Sequence, residues 1–314
     1  MPLDPDIARI IDWVNAQKAA ATEPPTIEQI RQQMADWREG AFGIDVVEGI
    51  DTEDVVIPAS GGPVPARIYR PEGVTQPCPT IVYAHGGSWV MGSVEIYDPV
   101  TRRIAREARA VVVSIDYRLA PEHPFPAGWE DARDSILWAH EHIEELGGDA
   151  EAVVIAGDSA GGNFGSSLSV WARDAGVKLG AQLLIYPSCD LSKRYPSMDD
   201  LATGYLLETP PVDFPDRAYL VDPDLRWDPI ASPLLSESLA DLAPAVIVTA
   251  EFDPIKDHGT VLRDAYLEAG VTTVHREYAG LIHGFVSAAS SPAAMAAIDD
   301  FCAELVKVLE STRV

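Results

Sequence analysis

Apolar positions along the chain follow two different periods. Ile7, Ile10, Ile11 and Val14 recur at the three-and-four spacing of one helix face, and Ile27, Ile30, Met34 and Trp37 repeat it after Pro24-Pro25. The second stretch opens with Thr26 and carries Gln29 three residues on, a capping box in which each side chain serves the other's backbone N–H. Both helices precede any strand. They are predicted to lie outside the sheet, as an appendage laid over it.

Further on the period changes. Val55–Ile57 and Ala66–Tyr69, separated by Ser60-Gly61-Gly62-Pro63, predict an antiparallel hairpin. Short apolar runs then appear at 81–84, 111–115, 152–156, 182–186, 245–249 and 273–278, most of them alternating with helical stretches. That alternation predicts an α/β fold, a mostly parallel central sheet of about eight strands with helices on both faces. Residues 187–233 break it, with many prolines, scattered large apolar side chains and no strand signal. A structureless loop of this length is unusual in a compact domain, so the stretch is predicted to be an inserted lid packed with the two leading helices. The expected division is 1–45 as N-terminal cap helices, 46–187 as the first part of the core, 188–233 as a cap insertion and 234–314 as the second part.

Composition narrows the function. With 314 residues, 47% of them hydrophobic, the chain can bury a large core. Its 49 acidic against 23 basic residues give a net charge of −26, which disfavours nucleic acid and anionic membrane surfaces as partners. Lysines number only five, a bias that fits either salt adaptation or genomic base composition. Cys78, Cys189 and Cys302 are widely spaced and odd in number, so packed thiols are expected rather than disulfides or a metal site. The start, Met1-Pro2-Leu3-Asp4, has no basic segment followed by an apolar one, and no apolar run reaches membrane-spanning length. A soluble cytoplasmic protein without stable membrane insertion is expected.

The candidate chemistry centres on Gly157-Asp158-Ser159-Ala160-Gly161, set between a predicted buried strand and a predicted helix over 160–175. A turn this sharp needs glycine at 157 and 161 for room. It holds the serine hydroxyl at the carboxyl end of the sheet beside a helix N-terminus, where N–H groups can stabilise an oxyanion. A serine nucleophile needs a base, and the base needs a carboxylate to orient it. Asp253 follows the 245–249 strand and His283 follows the 273–278 strand, so both emerge at the same sheet edge as Ser159. Asp257 is the competing carboxylate, but its position at a helix start predicts that it caps that helix. His123, His140, His142 and His275 fall in a turn, on a helix and within a strand, where structural roles are expected. His85-Gly86-Gly87-Ser88-Trp89 follows a strand directly, and its glycines allow backbone N–H groups to approach a substrate oxygen. His85 is expected to brace this loop.

The segments HGGSW (85–89), YRLAPEHPFPA (117–127), GDSAGGN (157–163), AEFDPIKDHG (250–259) and IHGF (282–285) stand in the order found in hormone-sensitive-lipase-like (bacterial type IV) esterases. The chain resembles that family of α/β-hydrolases from about residue 75 onward. The resemblance implies an α/β-hydrolase fold with a helical cap, and a serine carboxylesterase acting on uncharged short to medium acyl esters through an acyl-enzyme. It implies no cofactor and no metal, a small-molecule ester as partner, and the homodimer common in the family. By matching position, Ser159 would be nucleophile, His283 base and then acid, and Asp253 the orienting acid. Gly86, Gly87 and Ala160 would supply the oxyanion N–H groups, and Asp158, Tyr117, Arg118 and Glu122 would hold loops. Ser88 replaces the family's usual third glycine and narrows the room beside it. Ser88, Trp89 and Phe285, with Tyr205, Leu206, Leu207 and Phe214 of the insertion, are expected to line the substrate pocket. Hydrolysis of amides, lactones or carbamates on the same fold is the alternative. A non-catalytic binder, as in the plant gibberellin receptor that resembles this family but lacks the catalytic histidine, is disfavoured by His283.

Overall fold

The computed structural model describes residues 2–20, 25–209 and 218–312. Strands β1 (Ile50–Ala59) and β2 (Gly62–Pro71) form the expected hairpin. Beyond them run β3 (Cys78–Ala84), β4 (Val111–Ile115), β5 (Gly148–Asp158), β6 (Ala181–Ile185), β7 (Ala245–Phe252) and β8 (Thr273–Ile282). The sheet order is β1-β2-β4-β3-β5-β6-β7-β8, antiparallel at β1/β2 and β2/β4 and parallel elsewhere. All the parallel strands therefore end at one edge, with β5 near the middle.

Alternation along each strand sends neighbouring side chains to opposite faces. Ile81 and Tyr83 of β3 join one apolar cluster, and Val82 and Ala84 join another. The first cluster takes in α3 (Val94–Glu107) and the last helix. The second takes in α4 (Ala127–Glu141) and α5 (Ala160–Ala175). Because both faces are covered, the central strands read as near-continuous apolar runs rather than as alternating ones.

The two leading helices form as predicted, α1 over Pro5–Ala20 and α2 over Ile27–Trp37. Both halves of the capping box are present: Thr26 N–H donates to Gln29 Oε1 at 2.8 Å, and Gln29 N–H to Thr26 Oγ1 at 3.3 Å. Their surroundings differ from the expectation. The α1 stripe of Ile7, Ile10, Ile11 and Val14 is buried in the same cluster as β3 and the last helix, so α1 belongs to the main core. Tyr205 and Leu206 of the insertion meet this cluster only from its edge. No residue of α2 is fully buried. The insertion itself is irregular, with a one-turn helix α6 (Ser197–Asp200) and a 3-10 turn at Pro223–Trp227. The remaining helices, α7 (Lys256–Glu268) and α8 (Pro292–Ser311), follow β7 and β8.

Candidate active site

Ser159 sits between the last residue of β5 and the first of α5, with φ 54° and ψ −114°. A non-glycine residue held there stores on the order of 1–3 kcal/mol of strain, which the surrounding packing must hold. That packing is tight. A Cβ on Gly157 would come within 2.5 Å of the Ala84 carbonyl oxygen, and one on Gly161 within 1.9 Å of it, so neither position admits a side chain. The Ser159 backbone is tied to β6 through its N–H to the Ile185 carbonyl at 2.9 Å.

His283 follows β8 and lies against the Tyr186 ring, with centroids 4.6 Å apart. Its Nε2 is 2.9 Å from Ser159 Oγ and its Nδ1 is 2.8 Å from Asp253 Oδ2. With Nδ1–H donating to the carboxylate, Nε2 is left to accept from the serine hydroxyl. Asp253 follows β7, is fully buried, and takes the Ile255 N–H on its other oxygen at 2.8 Å. Asp257 makes no such contact. Its carboxylate accepts the N–H of Ser197, 2.9 Å away, so it caps α6 of the insertion rather than its own helix. Sequence reasoning separated the two aspartates but mistook which helix Asp257 serves.

The glycine loop requires a correction. Gly86 N–H already donates to Asp158 Oδ1 at 2.7 Å, which leaves it unavailable to a substrate oxygen. Gly87 and Ser88 reach the cavity instead, and neither N–H donates to another group among the described residues. Gly87 has φ 122°, and a Cβ there would run into the Met91 carbonyl at 2.1 Å. Ser88 follows with φ 52°. Ala160, the first residue of α5, has an N–H with no intrahelical acceptor. The donors available to an oxyanion are therefore those of Gly87, Ser88 and Ala160.

Asp158 holds this loop to the elbow. Besides Gly86 it accepts from Tyr83 and Tyr97 hydroxyls at 2.8 and 3.2 Å and from the Tyr186 hydroxyl at 3.3 Å. Burial pushes its carboxyl above the ordinary range, and these donors act against that push. His85 braces the loop as expected: its ring is stacked on Tyr117, and Nδ1 contacts the Gly86 carbonyl at 2.8 Å. Burial lowers its pKa to about 4, so it stays neutral at pH 7. Tyr117 donates to the His85 carbonyl, Arg118 forks onto Asp131, and Glu122 accepts both Nη atoms of Arg31. Through Val90 and Ala120 carbonyls the same arginine fastens α2 beside the glycine loop.

A cavity of about 210 Å³ opens from Ser159 and His283. Ile30, Met34 and Trp37 of α2, Ile96 and Val100 of α3, and Met295 and Ile298 of α8 contribute apolar parts of its wall. Ser88, Leu206 and Leu207 line it as expected. Trp89 does not, because it is buried in a stack on Tyr219 with centroids 4.4 Å apart. Tyr205 stacks on Phe252, and Phe285 is fully buried against Tyr186 and Tyr278, so neither reaches the cavity. Phe214 lies outside the described residues. The two leading helices, expected to wall the acyl site if they pack on the insertion, contribute Ile30, Met34 and Trp37 of the α2 stripe, whereas Met295 and Ile298 of α8 had no signal of their own in the sequence. His258 was also missed. Buried, its Nδ1 accepts the Cys189 N–H at 3.1 Å, and burial lowers its pKa to about 4. Its place in the AEFDPIKDHG segment was the available signal.

Strand order, elbow and the three side chains at one sheet edge define the class: the chain belongs to the α/β-hydrolase-fold family, whose model matches residues 81–287. Within it the chain is one of the hormone-sensitive-lipase-like esterases. Carboxylic ester hydrolase LipN of Mycobacterium tuberculosis is 42% identical over 245 residues, 76% of this chain and 65% of that protein's own length. An arylesterase of Saccharolobus solfataricus is 34% identical over 91% of this chain and 93% of its own. The solved hyperthermophilic esterase of Pyrobaculum calidifontis superposes with a TM-score of 0.89 at 35% identity, covering 98% of this chain and 99% of the other. No helix among the described residues is long and apolar enough to cross a membrane.

Proposed function

We propose that this chain is a carboxylic-ester hydrolase in which Ser159 is the nucleophile, His283 the general base and then acid, and Asp253 the group that orients and charges-balances the imidazole. The observation that carries the assignment is the unbroken line from Asp253 Oδ2 to His283 Nδ1 at 2.8 Å and from Nε2 to Ser159 Oγ at 2.9 Å. His283 takes the hydroxyl proton as Oγ attacks the ester carbonyl. The oxyanion forms against the N–H groups of Gly87, Ser88 and Ala160. His283 then hands its proton to the leaving alcohol, and the acyl-serine is cleared by a water deprotonated at the same nitrogen.

The acyl range follows from the cavity. At about 210 Å³ it is smaller than the ~300–1,000 Å³ typical of sites for drug-sized ligands, and its wall is mainly apolar, which suits short to medium chains. A cytoplasmic location and a homodimer complete the reading. The buried thiols of Cys189 and Cys302, which form no disulfide, support the first, and the position of β8 at the edge of the sheet supports the second. Cell fractionation and light scattering test these two points.

The chemical assignment is tested with 4-nitrophenyl esters from acetyl to octanoyl. Ser159→Ala and His283→Ala should each lower kcat on the order of a thousand-fold or more, because the groups act as a unit. Folded variants retaining a tenth or more of wild-type kcat would remove the assignment.

A further inference from the structure

Arg38 begins the π-helical turn Arg38–Phe42 that follows α2, and its side chain forms part of the cavity wall. The turn is not regular helix: Gly40 within it has φ −88° and ψ −116°. Trp13 of α1 packs so closely that a Cβ on Gly40 would come within 2.8 Å of the indole. The core helix thus sets the path of the turn that carries Arg38.

The guanidinium is half-buried and incompletely used. Nη1 donates to the Glu95 carbonyl, and Nε is buried with no hydrogen-bond partner. No carboxylate among the described residues lies within ion-pair reach of it. That is unusual in so acidic a chain. The neighbouring arginines are neutralised, Arg31 by Glu122 and Arg103 by Asp45 and Asp299. Nε is closed to a molecule in the cavity, whereas Nη2 is not among the buried polar atoms and has no hydrogen-bond partner among the described residues, so its N–H groups are open to an acceptor there. The cavity wall that includes Arg38, Ser159 and His283 also includes Trp37, Met34 and Ile96, a lining for methylene groups.

We propose that Arg38 is a specificity residue that binds a carboxylate on the acyl arm, remote from the scissile bond, so that the site accepts half-esters of dicarboxylic acids. The inference rests on the reading of Ser159 as nucleophile. A single guanidinium matches the geometry and the one charge of a carboxylate, whereas a phosphate would bring more charge than one cation balances. Hydrolysis then consumes one water and releases the diacid and the alcohol.

The test compares 4-nitrophenyl hexanoate with the 4-nitrophenyl half-ester of adipic acid, which has the same chain length and ends in a carboxylate instead of a methyl. The ratio of kcat/KM for the half-ester to that for hexanoate should fall about tenfold or more in Arg38→Met, through KM, and recover in part in Arg38→Lys. Salt raised to about 0.5 M should lower the ratio in wild type and leave it steady in Arg38→Met. A ratio equal within about twofold in wild type and folded Arg38→Met overturns the proposal. So does an equal loss on both esters. Failure of the underlying reading looks different: wild type then hydrolyses neither ester, or Ser159→Ala matches it on both, and the two readings fall together.

Discussion

Asp253, just after β7, and Asp257, in the first turn of α7, each end on a different neighbour, the first on His283 and the second on Ser197 of the insertion. Asp253→Asn should lower kcat about a hundredfold or more, because the amide favours the wrong imidazole tautomer. Asp257→Asn should keep kcat within about tenfold of wild type. The reverse pattern, read from kcat on one ester with both variants folded, would assign the acid to Asp257. The sequence put Asp253 ahead of Asp257 on its place directly after a strand, while the cap it assigned to Asp257 on its own helix did not form. The role of Gly86 was not legible. Nothing local to the glycine loop reports that a carboxylate 72 residues away in sequence, Asp158, takes its N–H. Trp89, Tyr205 and Phe285 failed as pocket residues for a related reason. Nearness in sequence to the glycine loop, the lid or His283 does not say which side of the backbone an aromatic ring fills, and here Trp89 and Phe285 fill the core while Tyr205 packs on Phe252 at its edge.

Among the elements, the strands and the elbow were legible because a buried parallel strand is a short apolar run and an elbow needs glycine at fixed offsets. The destinations of α1 and α2 were not, since an apolar stripe shows that a helix needs cover without saying from what. The two helices now separate. α1 is core, and the residues leading into it grip the chain on both sides of His283: Asp4 N–H donates to the Gly280 carbonyl at 2.9 Å, and Asp4 Oδ1 accepts from Ser291 Oγ at 3.2 Å. Deleting residues 1 to about 40 should therefore lower stability by several kcal/mol and damage turnover of acetate as well as longer esters, since four buried aliphatic side chains go with it. Detaching α2 alone should be gentler. Arg31→Ala removes its links to Glu122, Val90 and Ala120, and should raise KM for hexanoate more than for acetate, with little change in melting temperature. Equal KM changes across chain lengths would show that α2 does not shape the acyl site.

At the scale of the whole molecule, two histidines far apart in the chain make stability depend on pH. His85 and His258 both have their pKa lowered to about 4 by burial. Unfolded, each titrates near 6.5, so between about 6.5 and 4 the unfolded chain binds protons that the folded chain refuses. Their stabilising contribution is complete above about pH 6.5 and declines as pH falls toward 4, by roughly 2 kcal/mol each at pH 5. Urea midpoints at pH 7.5 and 5 measure the decline. His258→Gln, which keeps an acceptor for the Cys189 N–H, should remove its own share, roughly 2 kcal/mol at pH 5. An unchanged slope would mean that His258 is protonated in the folded protein. The insertion carries a consequence of another kind. Its two ends converge on one side chain, because the Asn163 amide donates to the Ser188 carbonyl at 2.6 Å and to the Ala231 carbonyl at 2.9 Å. A segment stapled at both feet to the helix that follows the nucleophile is a closed excursion, and the entropy of closing such an excursion grows only slowly with its length. Its interior can therefore be lengthened, shortened or exchanged while its feet stay put. The fold separates what it reacts with, which can drift in evolution, from how it reacts, which cannot.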